Sequence, residues 1–465
     1  MTAPPGHPVS PDATVTASLC QTITRTTFET LPSRVIEVAK HIILDGLAVG
    51  VAGALEEGPR IVAAHVRSLG GTPTSSVIGH GFRTSPLLAA YVNGISMHVL
   101  DYEPMWSPPT HATSPTLPVV LALAETAQVT GREVITAFVK ACELQGRLRL
   151  ASRQYTPGEL KYHPPGVVGV MGAVVAAAHL LALDHKQLQN ALGIAASRAG
   201  GLMANVGTMT KATHCGWAAA AGLDAALLAR GGFTANTEIL EAPNGYADAF
   251  FGQECDYTVL LAFGQPYRMV EPGFAIKLFP SQYATHFGIT AALELRKAVT
   301  EPQSIRSIRI TTPVMPYVDR PFPRTGLEGK FSFQYTVAVA LLDGAVTVRS
   351  FSDERRYRRD MTDLLPRITL TQSLDIPGQL ERMWVEVTVE LGSGERLTAR
   401  CDGPKGFWGL PPLQRNEHLA KISDCLSTCL QPSEIERCIQ LVDNLDTLEP
   451  EGVRELVAIA GCERA

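Results

Sequence analysis

The 465-residue chain has no large excess of charge of either sign: 40 Lys and Arg stand against 45 Asp and Glu, a formal net charge of −5. That balance gives no general attraction to nucleic acid or to an acidic membrane surface. Long uninterrupted apolar runs are missing too. The nearest, 166–183, is rich in Gly and Ala, contains His179, and reads as a core helix rather than a membrane span. Cysteine is sparse and scattered. Nine residues at irregular spacing do not suggest a disulfide framework and read as reduced packing residues of a cytoplasmic protein. Cys425 and Cys429 share a helix face, but no further Cys pair or neighbouring His completes a zinc site. The sequence lacks a Walker A loop, a GxGxxG after a strand, an HExxH and a GxSxG. Nothing therefore supports a nucleotide, a zinc-protease mechanism or a serine nucleophile. Residues 1–14, Pro-rich and polar, lack a basic region followed by an apolar one and read as a short disordered lead rather than a signal peptide.

What is present is apolar and helical. Hydrophobic residues make up 45% of the chain and charged ones 18%, enough to bury a large core in two or three domains. Helical spacing predicts helices over 32–55, 58–69, 85–100, 114–129 and 133–150, then a buried helical region from 166 to 230. The character changes near Pro272. Strand patterns appear at 304–311, 384–390 and 396–401, the last two flanking a Leu391-Gly392-Ser393-Gly394 turn, with helices at 283–298, 332–342 and 353–365 between them. From 411 to 460 the pattern is helical again, so the last segment is expected to pack back on the first. The expected fold is mainly α, divided as 15–271 and 409–465 (helical) around 272–408 (α+β).

Chemistry gathers around 162–217, where two ionisable clusters bracket apolar helices: Tyr162-His163-Pro164-Pro165 and Thr210-Lys211-Ala212-Thr213-His214. Buried helices hold their ends rigidly, which suits side chains that must keep a fixed geometry. Lys211 and His214 read as lying in a loop between such helices. A second cluster, Asp101-Tyr102-Glu103, opens a proline- and aromatic-rich loop through Met105, Trp106 and His111. Lys277 lies among apolar neighbours, where a lysine needs an anionic partner: a structural ion pair or a substrate carboxylate. Asp45 reads as a satisfied core carboxylate, and His98 and His418 as structural or surface residues. The remaining kit of Asp101, His111, His163, Lys211, His214, Lys277, Gln282, His286 and Tyr335 contains acids, bases and cations. It points to cofactor-free proton transfer on a small polycarboxylic acid, with neither metal nor cofactor expected. A surface position for each loop histidine is the plainer alternative.

The blocks LDGLAVGVAGA (44–54), AAYVNGISMHVLDYE (89–103), HPPGVVGVMGAVVAAA (163–178), GTMTKATHCGWAAAAGLDAALLARGGF (207–233), FAIKLFPSQYATH (274–286) and GKFSFQYTVAVALLDG (329–344) together resemble the MmgE/PrpD family over nearly the whole chain. That family includes 2-methylcitrate dehydratase, cis-aconitate decarboxylase and an iminodisuccinate epimerase. The resemblance implies a helical domain with a smaller α+β lid inserted before the C-terminal helices, a homodimer, and no cofactor. The HPP and TKxxH blocks are more similar to the decarboxylase branch. By this resemblance Asp101, His111, His163, Lys211, Lys277 and Tyr335 fall on that branch's active-site positions; the expected catalytic residues are Asp101, His111, His163, Lys211 and Tyr335, and the expected substrate-binding ones Lys277, Met105, Gln282 and His214. Three positions depart: Met105 replaces a threonine, Gln282 a histidine and Ser107 a histidine. The resulting expectation is a lyase of small di- or tricarboxylic acids. Dehydration, epimerisation and non-catalytic carboxylate binding are the alternatives.

Overall fold

The computed structural model describes residues 14–155, 160–411 and 413–462. The expected lead, 1–13, lies outside the described residues. Helix accounts for 58% of the chain and strand for 9%, so the fold is mainly α. The longer helices of the first part are α1 (Val15–Arg25), α2 (Ser33–Gly53), α3 (Glu57–Leu69), α4 (Pro86–Val99), α5 (Thr113–Ala124), α6 (Gly131–Ala151), α7 (Pro164–Leu180), α8 (His185–Ala196) and α9 (Thr210–Arg230). A short hairpin, β1 (Ser75–Val77) with β2 (Phe82–Thr84), lies between α3 and α4. Every residue of α5 is buried, and α7 is buried from Pro164 to Ala178. Small residues let such helices approach closely. A Cβ on Gly94 of α4 would stand 2.7 Å from the Gly216 Cα of α9, a distance no real side chain tolerates.

Two hydrophobic cores form. The first joins α1–α9 with the C-terminal helices Arg415–Leu426, Pro432–Asp443 and Pro450–Gly461. The second fills the middle of the chain, where Tyr283–Arg296 and Phe333–Asp343 pack together and against a four-stranded sheet. The sheet order is β4-β3-β5-β6. β3 (Ile305–Pro313) runs parallel to β4 (Ile368–Ser373) and antiparallel to β5 (Val385–Leu391), which turns back into β6 (Arg396–Cys401). Alternation along β5 puts Val385, Val387 and Val389 in the core, each 0% exposed.

Some local expectations change. Lys211 and His214 sit in the first turns of α9, not in a loop, because the helix runs unbroken from Thr210. The helix expected over 353–365 is two short ones, Asp353–Arg356 and Arg359–Leu364. β4 is not among the expected strands. Among the described residues no helix is long and apolar enough to cross a membrane.

The last helices also reach the centre of the molecule. Lys421 donates to both oxygens of Asp45 (2.9 and 2.8 Å) and to the carbonyl of Tyr102 (2.9 Å). His418 Nε2 lies 2.9 Å from the same carboxylate. Asp45 is a satisfied core carboxylate, and His418 is its buried partner rather than a surface residue.

Candidate active site

The ionisable clusters meet at the junction of the two cores. The loop after α4 is tied to the middle segment by a two-bond bridge: Met105 N–H donates to the Ala275 carbonyl (3.2 Å) and Ala275 N–H to the Met105 carbonyl (2.7 Å). Just before it, Asp101 adopts the left-handed region (φ 51°), which Asp tolerates better than most residues. Its carboxylate is shared by two ammonium groups, Lys211 from α9 and Lys277 from the segment before Tyr283. Lys277 also donates to the carbonyls of Asp101 (2.7 Å) and Ser281 (3.1 Å). Burial alone would raise the Asp101 carboxyl, but Lys211 and Lys277 hold it well below the usual range. Burial lowers the Lys277 ammonium, with Asp101 pulling the other way.

His111 stands between two carboxylates. Its Nε2 is 3.6 Å from Asp101 Oδ1 and its Nδ1 3.3 Å from Glu103 Oε1. Glu103 is fully buried and accepts from His98 Nδ1 and from Ser114 Oγ (3.0 Å). Burial would raise Glu103, yet His98 and His111 keep it well below its ordinary value. His98 itself is pushed down to about 4 by burial, against the pull of Glu103.

His163 caps the start of α7, whose first turn is Pro164-Pro165, residues suited to a position with no partner for an N–H. Its own N–H donates to the Gly201 carbonyl at 2.8 Å. Its ring Nδ1 lies 3.2 Å from His214 Nδ1, so one must donate and the other accept. Burial, then the charge of Lys211, pushes both imidazoles down, His163 strongly. The rings form a continuous row, with centroids 4.8 Å apart for His98–His111 and 5.3 Å for both His98–His163 and His163–His214.

A cavity of about 80 Å3 opens here. Asp101, Met105, His111, His163, Lys211 and Gln282 line it, as the sequence had grouped them. Four expected residues do not line it: His214, Lys277, Tyr335 and His286. His214 stands behind His163, and Lys277 lies beneath Asp101. Tyr335 is fully buried in the Phe333–Asp343 helix, where its hydroxyl donates to the Ser350 carbonyl at 2.6 Å. The tyrosines that line the cavity are Tyr283 and Tyr317; Tyr317 accepts from Gln282 Nε2 at 3.1 Å, and burial raises its pKa. His286 is buried with its Nε2 3.3 Å from the Ser281 carbonyl, outside the lining. Sequence reasoning passed over His98, Glu103 and Tyr317 as separate participants. The readable signal for Tyr317 was its Pro316-Tyr317 turn, the same proline–aromatic pairing that marks 104–111.

Ligand atoms of His98, Glu103 and His111 lie within 4.8 Å of one another. Glu103 Oε1 is hydrogen-bonded to His98 Nδ1 and Ser114 Oγ, and His111 Nδ1 lies 3.3 Å from the same oxygen.

Residues 17–258 match the MmgE/PrpD N-terminal domain and residues 279–447 the MmgE/PrpD C-terminal domain. The chain belongs to the MmgE/PrpD family. Among relatives within it, the cis-aconitate decarboxylase of Mus musculus is 33% identical over 431 residues, 90% of this chain and 88% of the mouse protein. The cis-aconitate decarboxylase of Aspergillus terreus is 26% identical over 93% of this chain and 94% of its own length. The 2-methylcitrate dehydratase of Escherichia coli is 25% identical over 68% and 69%. Family membership thus agrees with the resemblance carried by the six sequence blocks.

Proposed function

We propose that this protein is a cofactor-independent lyase of the cis-aconitate decarboxylase type, acting on a small carboxylic acid. The observation that carries the reading is the convergence of Asp101, His111, His163 and Lys211 on one cavity. Its relatives named for decarboxylation match over nine-tenths of the chain.

The chemistry follows from the positions. The substrate's acceptor carboxylate binds the Lys211 ammonium, with the Tyr317 hydroxyl beside it. The C–C bond to the departing carboxylate breaks, CO2 leaves, and the electron pair moves through the double bond into the acceptor carboxylate as an enediolate. His111, flanked by Asp101 and Glu103, delivers the proton to carbon. His163, kept neutral by burial and Lys211, accepts a hydrogen bond or a proton. Asp101 and Lys277 are positioning residues that fix Lys211 and His111.

The division into 15–271 with 409–465 and 272–408 is part of this reading, supported by the two cores. So is a homodimer, supported by Trp217 of α9, which is 58% exposed beside Tyr91. A cytoplasmic setting is supported by buried thiols at Cys20, Cys142, Cys215 and Cys438. A proton NMR time course with cis-aconitate in D2O tests the activity. One deuterium should enter the methylene beside the acceptor carboxylate of the decarboxylated product. Alkene formation from 2-methylcitrate, with cis-aconitate untouched, would replace decarboxylation by dehydration. Light scattering of the purified protein tests the dimer.

A further inference from the structure

Among the described residues Lys211 is the one ammonium that lines the cavity, and its buried neighbour Lys277 is committed before any substrate arrives. An ammonium has three donors. Those of Lys277 go to the Asp101 carboxylate, the Asp101 carbonyl and the Ser281 carbonyl, and the side chain is 0% exposed. It therefore has nothing left to give a ligand. Lys211 spends one donor on Asp101 and keeps two, its ammonium lying 5.1 Å from the centre of the Phe331 ring. Among the described residues no arginine lines the cavity. The nearby Arg320 is turned to the carbonyls of Tyr317 (3.1 Å) and Val206 (3.0 Å). The Asp101 carboxylate is shared by Lys211 and Lys277, and a further buried ammonium, Lys330, donates to the Val99 carbonyl (3.4 Å) outside the lining. Gln282 is engaged as well, accepting from Ala284 N–H (2.7 Å) and donating to Tyr317.

The opposite wall is apolar. Met105, Val206, Phe331 and Leu380 line the cavity and are all buried members of the second core. The cavity is small, about 80 Å3. A third carboxylate placed against Met105, Val206 and Leu380 would lose its hydration among apolar side chains.

Resting on the lyase reading above, we propose that the site takes an unsaturated dicarboxylate with an apolar arm, a 3-alkylglutaconate, in place of a tricarboxylate. The alkyl group lies on Met105, Val206 and Leu380, and the acceptor carboxylate on Lys211. The step balances. The bond from the allylic methylene to its carboxylate breaks and CO2 leaves. That electron pair makes the new terminal double bond, and the former π pair becomes the enediolate, which takes one proton. A dianion and a proton give CO2 and a 3-alkylbut-3-enoate monoanion.

The test compares 3-methylglutaconate with cis-aconitate by NMR, and titrates the inert analogues 3-methylglutarate and tricarballylate by calorimetry. The expected result is kcat/KM at least about 10-fold higher for 3-methylglutaconate, the lower end of what one apolar group confers. The methylated dianion analogue should bind tighter than the trianion by a similar factor. Met105→Arg, which places a cation on the apolar wall, should reverse the preference. Equal or greater kcat/KM for cis-aconitate would overturn the substrate inference and leave the lyase reading standing. Loss of CO2 from neither acid would overturn both, and tighter binding of tricarballylate would overturn the inference whatever the turnover.

Discussion

Lys277 and Lys211 hold the same carboxylate, yet their removal should have opposite consequences. Lys277→Met keeps the side-chain length and deletes the ammonium. Asp101, 3% exposed, then loses one of its two counter-ions, and two carbonyls lose a donor. Breaking one side of a buried pair is worth about 3–5 kcal/mol, a large share of a total stability of about 5–15 kcal/mol. Lys211→Met leaves Asp101 with its more buried partner and removes one charge-assisted bond, worth about 1.5–3 kcal/mol. Function should rank the other way. Lys211 is the ammonium that faces the cavity, so its loss should lower kcat/KM by roughly 100-fold, the scale of one missing electrostatic contact to developing charge. Folded Lys277→Met should keep a near-normal KM and lose kcat through a misplaced Asp101. Urea denaturation followed by circular dichroism, with kinetics on the same preparations, separates the two. The double variant Asp101→Asn with Lys277→Met removes the stranded charge and should recover part of the lost stability. A Lys277→Met midpoint equal to wild type, or a Lys211→Met protein less stable than Lys277→Met, would refute the assignment of the buried pair.

His111→Asn should reduce turnover by roughly 100-fold or more with the fold retained; unchanged kcat would remove it as proton donor. Lys421→Met should lower both stability and kcat, because Asp45 is left with His418 alone and the Tyr102 carbonyl loses its donor; Lys421→Arg should restore part of each. Stability should fall as pH drops from 6.5 towards 4. Burial pushes His98 and His80 down to about 4 and His179 to about 3, so the unfolded chain binds more protons in that window. Each such histidine contributes a slope of up to about 1.4 kcal/mol per pH unit. Asp101 and Glu103, held below their ordinary values, add to the loss as pH falls through the usual carboxylate range. A flat urea midpoint between pH 7 and 5 would show that these imidazoles are charged in the folded state.

Periodicity reported what depends on neighbours in the chain. The helical stretches and the β5–β6 hairpin are set by local pattern, and their ends fall close to the expected positions. β4 is an edge strand, and only its pairing with β3 distinguishes IleThrLeuThrGlnSer from a loop. Site residues on strong local signals, such as the Pro-rich loop around His111 and the His-Pro-Pro helix start, do line the cavity. His98 lacks such a signal, and the single Pro316-Tyr317 pairing is a weaker one. His98 becomes a neighbour of Glu103 only because the chain reverses after α4, and Tyr317 faces the cavity only once Gln282 is in place beside it. The choice of Tyr335 over Tyr317 rested on block similarity, and a helix interior gave that phenol a partner in the Ser350 carbonyl.

The contact between Lys421 and Tyr102 spans 319 positions of sequence, and that with Asp45 spans 376. At about 5–20 residues per second, a ribosome needs roughly a quarter-minute to a minute to go from one side of this latch to the other. Throughout that interval the nascent chain displays Asp45 without its ammonium, and the Asp101–Glu103 turn without its anchor. The proton-transfer groups are made first and put in register last. The latch can close only once the helix that carries Lys421 has emerged.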